Sequence, residues 1–439
     1  MTQRFVRSLL LASSLSVFAC GAQAADWQRE FFSPMTNELP ATRGVAVDDL
    51  GYVHVQAFNR QPWSTDYDFA HLYTFDAQGQ TPWMWGLAMA NRKSDCGVYA
   101  KSGQRLDCLV YAGWSGDETR LQMQAAGGSQ TLWQTFLPAE VELLDAGIAE
   151  QNVALFVGHI VGPAGVELGV FRASGYGPAD VLSVMSVCPM SGQAPAISRF
   201  RMPDAPGESI RHIKACPTGF GATELIAEQF DAISGQWTTL SQRSLPFGAQ
   251  VTRAEINADG KGFVLVDHGN GMREVLASGI FGNMWFQMPI PGDGEIAAFF
   301  ANEDALVIAV EGAAQDRIDV ESVIRFDIQN GFWPQFTPTP MLATQDAEAF
   351  ALSGQGALLV AGKSPTLPQT SHHLWQIDRF GMFQPVAPLT LAANETTNEP
   401  PTLRIGPNNV VVVARTIVRE EFFGEPQIGL RVNQFDLPM

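Results

Sequence analysis

The chain has 439 residues, of which 46% are hydrophobic and 16% are charged, and its mean hydropathy is +0.01. These values exclude an extended disordered chain and allow a large buried core. The formal net charge of −18 argues against a nucleic-acid partner, because phosphate binding requires clustered Lys and Arg side chains.

Residues 1–24 have the features of a secretory signal peptide. Arg4 and Arg7 precede an apolar stretch of about twelve residues, and residues 22–24 (Ala-Gln-Ala) match a small-residue cleavage site. The apolar stretch is too short to span a bilayer, which needs roughly 20 residues, and no later transmembrane span is predicted. We therefore expect a periplasmic or secreted protein with one domain over residues 25–439.

Cys20 offers an alternative interpretation of the N terminus. Residues 17–20 (Val-Phe-Ala-Cys) resemble the lipobox of bacterial lipoproteins, although Phe18 stands where that motif has a small residue. A lipid anchor at Cys20 would make the protein an outer-membrane lipoprotein. Cleavage after Ala24 is the preferred interpretation, and in both cases four cysteines remain in the folded domain.

An aromatic residue followed by aspartate and a glycine turn recurs along the chain. Phe75-Asp76 runs into a turn at Gly79, and related copies occur at residues 171–175, 230–235, 326–331, 377–381 and 435–436. Weaker copies at 123–128 and 277–282 fill the two longest gaps. Eight copies at a period of about 50 residues indicate a repeat architecture.

Each repeat divides into four short strands separated by turn residues. Residues 52–58 alternate between polar and apolar side chains, as expected for a strand with unlike faces. The last repeat has no fourth strand after Phe435-Asp436, and residues 27–32 form a strand-like segment that can supply it.

This pattern resembles that of β-propellers. The resemblance implies an all-β fold of eight four-stranded blades, closed by an N-terminal strand that completes the C-terminal blade. It concerns the repeat pattern alone, since the blade signatures of WD40 and kelch propellers are missing.

The four remaining cysteines fit two disulfide bonds. Cys96 and Cys108 are equally distant from Ser102 in a turn, so a hairpin would place them opposite each other. Cys188 ends the fourth strand of the third blade and Cys216 ends the second strand of the fourth, and these ends share one face of a propeller. We expect the bonds Cys96–Cys108 and Cys188–Cys216, which persist in exported proteins. A cysteine metal site is the weaker alternative.

The loops between the second and third strands of the blades differ in length and composition. Variable loops on a rigid scaffold commonly carry binding, so we expect function at this face and in the central channel beneath it. The candidate binding residues near this edge are five histidines and two aspartates: His71, His159, His268, His372, His373, Asp66 and Asp68.

These side chains suggest two chemistries. Imidazoles can bind a metal or act as a base, and alternating aspartates occur in calcium sites. The residues come from different blades, however, and the chain contains no His-Glu-x-x-His motif, phosphate-binding loop or complete Gly-x-Ser-x-Gly motif. No catalytic residue and no cofactor are therefore predicted, and a divalent metal is the alternative.

The loop asymmetry and the missing catalytic motifs favour a binding scaffold. We expect an exported protein that binds a protein or a polysaccharide through the variable loops of one propeller face. The alternative is a propeller hydrolase or lyase with a divalent metal at the channel mouth, because propellers host enzymes as well as adaptors.

Overall fold

The computed structural model describes residues 27–437 apart from short segments. The segments that are not described are 34–39, 61–66, 81–82, 92–96, 114–115, 126–129, 139, 163–164, 204–208, 219–220, 270, 280–283, 291–293, 313–319, 330–332, 339–344, 364–371, 398–399, 407–408 and 421–426. The described residues form 33 β-strands and no α-helix. The proposed signal peptide and Cys20 lie outside them.

The strands of the first four blades follow one another along the chain. Blade 1 contains β2 (Pro40–Val47), β3 (Val53–Arg60), β4 (Tyr67–Phe75) and β5 (Trp83–Asn91). Blade 2 contains β6 (Val98–Lys101), β7 (Gln104–Gly113), β8 (Gly116–Gln124) and β9 (Thr131–Phe136). Blade 3 contains β10 (Val141–Glu150), β11 (Val153–Gly162), β12 (Gly165–Ala173) and β13 (Asp180–Ser186). Blade 4 contains β14 (Ile197–Arg201), β15 (Ile210–Pro217), β16 (Thr223–Asp231) and β17 (Gln236–Ser244).

The remaining blades repeat this order until the last one, which includes the N-terminal strand. Blade 5 contains β18 (Gln250–Ile256), β19 (Gly262–Asp267), β20 (Arg273–Ser278) and β21 (Phe286–Ile290). Blade 6 contains β22 (Ile296–Ala301), β23 (Ala305–Glu311), β24 (Val320–Asp327) and β25 (Trp333–Pro338). Blade 7 contains β26 (Gln345–Leu352), β27 (Leu358–Lys363), β28 (His372–Ile377) and β29 (Phe383–Pro388). Blade 8 contains β30 (Glu395–Thr396), β31 (Thr402–Ile405), β32 (Val410–Arg419), β33 (Gln427–Asp436) and β1 (Trp27–Ser33).

The first strands of the blades surround a central axis. Each blade is an antiparallel meander, and one backbone bridge between Ala90 and Tyr111 joins the sheets of blades 1 and 2. First strands contact one another in the pairs β2 with β6, β6 with β10, β14 with β18, β18 with β22, β22 with β26, β26 with β31, and β31 with β2. This ring confirms the predicted eight-bladed propeller, in which the first strands line the channel.

The recurring aromatic-aspartate motif ends the third strand of a blade. Its large side chains are buried between blades at Phe75, Phe171, Phe230, Phe326 and Phe435. Asp76 Oδ1 accepts hydrogen bonds from the backbone N–H groups of Gln78 and Gln80, at 3.0 and 2.7 Å. The carboxylate therefore fixes the turn to the fourth strand. The same turn bond occurs at Asp231, Asp327 and Asp378.

The apolar core is divided among the spaces between neighbouring blades. Phe263 and Val275 of blade 5, for example, share one buried cluster with Leu306, Ile308 and Phe326 of blade 6. Successive side chains of a strand point to opposite faces, so the middle strands bury residues against both neighbouring blades. This explains their nearly continuous apolar sequences.

Strand β1 closes the ring, as the sequence predicts. It pairs antiparallel with β33, from Trp27 opposite Gln434 to Ser33 opposite Ile428. The buried Trp27 ring contacts Phe75 of blade 1, with 5.3 Å between ring centroids. A Cβ atom at Gly79, where φ is +69°, would overlap the Trp27 ring. The N-terminal strand thus holds blade 8 against blade 1.

An ion-pair network reinforces this closure. Glu30 of β1 accepts hydrogen bonds from Arg431 at 2.7 Å and from Arg419 at 2.9 Å. Both arginines also bind Glu395, whose carboxylate is buried. Burial, and then the positive charge of Arg431, lower the pKa of nearby Arg415 to about 10. The network joins strands that are about 400 residues apart in the chain.

A disulfide bond joins blades 3 and 4. Cys188 follows β13, Cys216 lies near the end of β15, and their Cα atoms are 5.4 Å apart. This confirms the predicted Cys188–Cys216 bond. Cys108 is also disulfide-bonded, whereas Cys96 lies outside the described residues. The described part of the chain contains no helix with the length and hydrophobicity needed to span a membrane.

We predict that Glu30→Gln lowers the free energy of unfolding by about 1–2 kcal/mol, because charge-assisted bonds to two arginines are lost. Urea denaturation measures the change. The matched control is Asp180→Asn, which removes an exposed ion pair with Arg172 and should change stability by less than about 0.5 kcal/mol. Equal effects of the two substitutions would contradict a stabilising role for the closure network.

Candidate functional site

Two adjoining cavities lie in the central channel. Their volumes are about 480 and 380 Å³, within the range of roughly 300–1,000 Å³ that is common for ligand sites. First strands of blades 1, 2, 3, 4, 5 and 8 line them. The side chains shared by both cavities include Val45, Val98, Tyr99, Asp145, Arg199, Phe200 and Arg404.

Five polar side chains of these strands form what we call the channel cluster. Its members are Tyr99 of β6, Asp145 of β10, Arg199 of β14, Glu255 of β18 and Arg404 of β31. Each comes from a different blade. The ring of first strands therefore brings together residues that are far apart in the sequence.

Arg199 and Glu255 form an ion pair across blades 4 and 5. One guanidinium nitrogen, Nη2, lies 3.1 Å from Oε1 and 3.2 Å from Oε2 of Glu255. Burial by itself lowers the pKa of Arg199, but the carboxylates of Glu255 and Asp145 raise it above its ordinary value. Arg199 therefore remains a fixed positive charge in the channel.

Tyr99 and Asp145 form a hydrogen-bonded pair across blades 2 and 3. Burial, together with the negative charge of Asp145, raises the pKa of Tyr99. Burial also raises the pKa of Asp145, although the backbone N–H of Ala146 donates to its Oδ1 at 2.8 Å and opposes this shift. The Tyr99 hydroxyl thus keeps its proton and can act as a donor.

Arg404 differs from the other members of the channel cluster. Its guanidinium has no hydrogen bond or ion pair with any described residue. Burial and the positive charge of Arg199 lower the pKa of Arg404. Arg404 is exposed to the channel. A guanidinium that lies close to a second cation and has no ion pair with a described residue can bind an anion.

A second polar group lies between blades 3 and 4, and we call it the interblade cluster. It consists of Ser198, His212, Lys214 and Glu228, with His159 facing it from blade 3. Ser198 Oγ lies 2.8 Å from His212 Nε2, and His212 Nδ1 lies 2.7 Å from Glu228 Oε1. Lys214 Nζ lies 2.8 Å from the same carboxylate oxygen.

The interblade cluster has a defined charge state at neutral pH. Burial, and then the charges of Lys214 and His159, lower the pKa of His212 despite the opposing effect of Glu228. Burial alone would raise the pKa of Glu228, but the bonds from His212 and Lys214 lower it below its ordinary value. His212 is therefore neutral and Glu228 is ionised.

The five predicted histidines lie on four separate blades and are not brought together. His71 and His159 lie within β4 and β11, opposite Ala57 and Leu168. The sequence placed both at loop edges, but the strands extend further than their patterns indicated. His159 contributes to the interblade cluster, and its buried Nε2 has no hydrogen-bond partner among the described residues.

The other three histidines make local contacts. His268 follows β19, and its Nε2 lies 3.0 Å from Glu274 Oε1. His372 Nε2 lies 3.0 Å from Glu348 Oε1, and the His373 ring packs against Trp375. These contacts lie within the blade of each histidine, and the buried Nδ1 of His372 has no hydrogen-bond partner among the described residues.

The two predicted aspartates stay a prediction. Asp66 lies outside the described residues, and Asp68 lies in β4 opposite Arg60. Among the described residues, no three His, Cys, Asp or Glu side chains are close enough to hold a metal ion.

Neither the channel cluster nor most of the interblade cluster is predicted by the sequence. No short motif marks either group, because their members come from successive repeats. An alignment of the first strands, blade by blade, would have placed Tyr99, Asp145 and Arg199 on the channel wall. It would not have identified which of them interact.

The sheet topology places this protein among the β-propellers, but no family model and no curated protein matches the chain. The WD40 domain of SCAP from fission yeast is similar over 93% of this chain and 98% of that chain, with 11% identity and a TM-score of 0.48. The polysaccharide lyase Uly1 is similar over 93% and 99%, with 9% identity and a TM-score of 0.46. AztD from Citrobacter koseri is similar over 84% and 96%, with 10% identity and a TM-score of 0.43.

Buried and half-buried histidines should make the stability of the fold depend on pH. Burial is the first cause that lowers the pKa of five of them below 6.5: His54, His71, His159, His212 and His373. Below pH 6.5 the unfolded chain takes up protons that the native state does not bind, so the stability decreases as the pH falls.

We predict that His54→Asn weakens this dependence. A fully buried histidine that stays neutral contributes up to about 1.4 kcal/mol per pH unit below its ordinary pKa. Urea denaturation between pH 7.5 and 5.5 should therefore show a smaller loss of stability for the variant than for the natural protein. An identical pH dependence would contradict the assignment of a neutral His54 in the native state.

Proposed function

We propose that this protein is an exported propeller scaffold that binds a carboxylate-bearing ligand in its central channel. Arg404 carries the proposal, because its guanidinium is exposed to a cavity of ligand size and has no ion pair with a described residue. A carboxylate is a suitable partner, because a guanidinium can donate two parallel hydrogen bonds to it.

The rest of the channel cluster supports this choice of ligand. The ion pair with Glu255 fixes Arg199 in place and offsets its charge, so Arg404 carries the uncompensated positive charge of the cluster. Tyr99 keeps its proton and donates a hydrogen bond to Asp145, which fixes both side chains at the same wall. Apolar Val45 and Val98 complete the cavity and can pack against the body of the ligand. Few polar groups among apolar ones are typical of specific ligand sites.

Export is the second part of the proposal. The Cys188–Cys216 bond supports a non-reducing compartment, which agrees with the signal-peptide features of residues 1–24. We infer a periplasmic or secreted protein, with a lipid anchor at Cys20 as the alternative. The variable loops of one face would then contact the remainder of a protein or polysaccharide whose carboxylate enters the channel.

We predict that carboxylate ligands raise the melting temperature of the natural protein. The probes are trialanine against its C-terminal amide, and glucuronate against glucose. Each pair differs mainly in the carboxylate, and the two pairs distinguish a peptide source from a sugar source. A ligand at 100 times its dissociation constant stabilises the native state by about 2.7 kcal/mol, which a thermal shift detects.

Arg404→Gln should reduce the affinity of the active probe roughly ten- to hundredfold, because a charge-assisted bond is lost. Arg172→Gln, which changes an exposed arginine on β12, is the matched control and should bind like the natural protein. Two results would contradict the proposal: equal effects of the charged and neutral probes, or full binding by the Arg404 variant.

A further inference from the structure

The interblade cluster places a serine, a histidine and a carboxylate in a linear hydrogen-bonded series. Ser198 Oγ is 2.8 Å from His212 Nε2, and His212 Nδ1 is 2.7 Å from Glu228 Oε1. A nucleophile bonded to a base, with the base oriented by a third group, is the arrangement that activates serine for covalent catalysis. Such arrangements are recognised by geometry and occur on unrelated folds.

We propose that Ser198, His212 and Glu228 form a catalytic triad that hydrolyses carboxylic esters at the wall of the central channel. This activity is independent of the proposed carboxylate-binding role. Ser198 is the nucleophile, His212 is the general base and acid, and Glu228 orients the imidazole.

Three adjacent strands of blade 4 fix the positions of these side chains. Ser198 lies on β14 opposite Lys214 of β15, and His212 of β15 lies opposite Glu228 of β16. The His212 ring also stacks on Phe200, with 4.0 Å between ring centroids. A site built on paired strands and packed rings holds its geometry more closely than a site on loops.

The serine is accessible while its two partners are protected. Ser198 is partly exposed and lines the larger channel cavity together with Asp145, Arg199 and Arg404. The side chains of His212 and Glu228 are 0% and 5% exposed. A substrate or a water molecule in the channel can therefore reach the hydroxyl, while packing holds the imidazole and the carboxylate in place.

The charges around the triad suit its proposed roles. His212 is neutral and can accept the Ser198 proton, because burial lowers its pKa. Glu228 is ionised, and Lys214 binds the same oxygen that His212 contacts. The imidazolium formed during the reaction would therefore lie beside a carboxylate that stabilises it.

The proposed reaction has two balanced steps. Ser198 Oγ attacks the ester carbonyl, its proton moves to His212 Nε2, and the alcohol leaves with that proton, which produces an acyl-serine. Water then attacks the acyl group, gives a proton to His212 Nε2, and releases the carboxylic acid as Ser198 recovers its proton. Arg404, on the wall of the same cavity, supplies positive charge for the transient oxyanion.

Two measurements on the full-length mature protein test the proposal. A fluorophosphonate probe phosphonylates activated serines, and mass spectrometry of the digested protein identifies the labelled residue. Hydrolysis of p-nitrophenyl acetate reports turnover. The variants are Ser198→Ala and His212→Gln, and the control is Ser186→Ala at an exposed serine on β13.

We expect the probe to label Ser198 in the natural protein and in Ser186→Ala, and not in Ser198→Ala. His212→Gln should reduce the labelling rate by about 100-fold or more, because the general base is lost. Melting curves establish that each variant is folded. Ser198→Ala replaces one hydroxyl, so it tests the proposal even if the His212 variant unfolds.

Three results would overturn the proposal. The first is that the natural protein is not labelled and hydrolyses the ester no faster than Ser198→Ala. The second is that the label is found on another serine. The third is that folded His212→Gln is labelled as fast as the natural protein. In each case the cluster would be a hydrogen-bonded part of the core.

Discussion

The pairing of β1 with β33 is the constraint on which the rest of the structure depends. A propeller blade cannot bury both of its faces alone, so each blade needs two neighbours and the ring must close. Two residues of β1 close the ring. Trp27 packs on Phe75 of blade 1, and Glu30 binds Arg431 of blade 8. Closure also covers a sheet edge that would otherwise remain open to pairing with another chain.

Closure of the ring brings residues of the first strands together around the central channel. Residues as distant as Tyr99 and Arg404 meet in one cavity because each occupies the inner strand of its blade. In the channel, Arg199 is paired with Glu255, although half of the Arg199 side chain is exposed. Arg404 has no such partner among the described residues. An uncompensated charge in an otherwise satisfied site is a physical reason to expect a ligand.

Repeat spacing predicted the blades, the closing strand and the Cys188–Cys216 bond, because turns and strand alternation are encoded locally. The functional groups were harder to predict. Contact between Arg199 and Glu255, or between Ser198 and His212, depends on how neighbouring strands and blades align. His159 was expected at a loop edge, but β11 continues to Gly162, since strand ends are poorly marked in sequence.

The central claim is that the closed ring forms an anion site in its channel. A crystal structure of the protein soaked in 4-bromobenzoate tests it most directly, because the anomalous scattering of the unreactive aryl bromine locates the ligand. The account predicts a bromine site in the channel cavity, with the carboxylate within hydrogen-bond distance of the Arg404 guanidinium. Bromine found only on the outer surface, with the channel free of ligand, would contradict it.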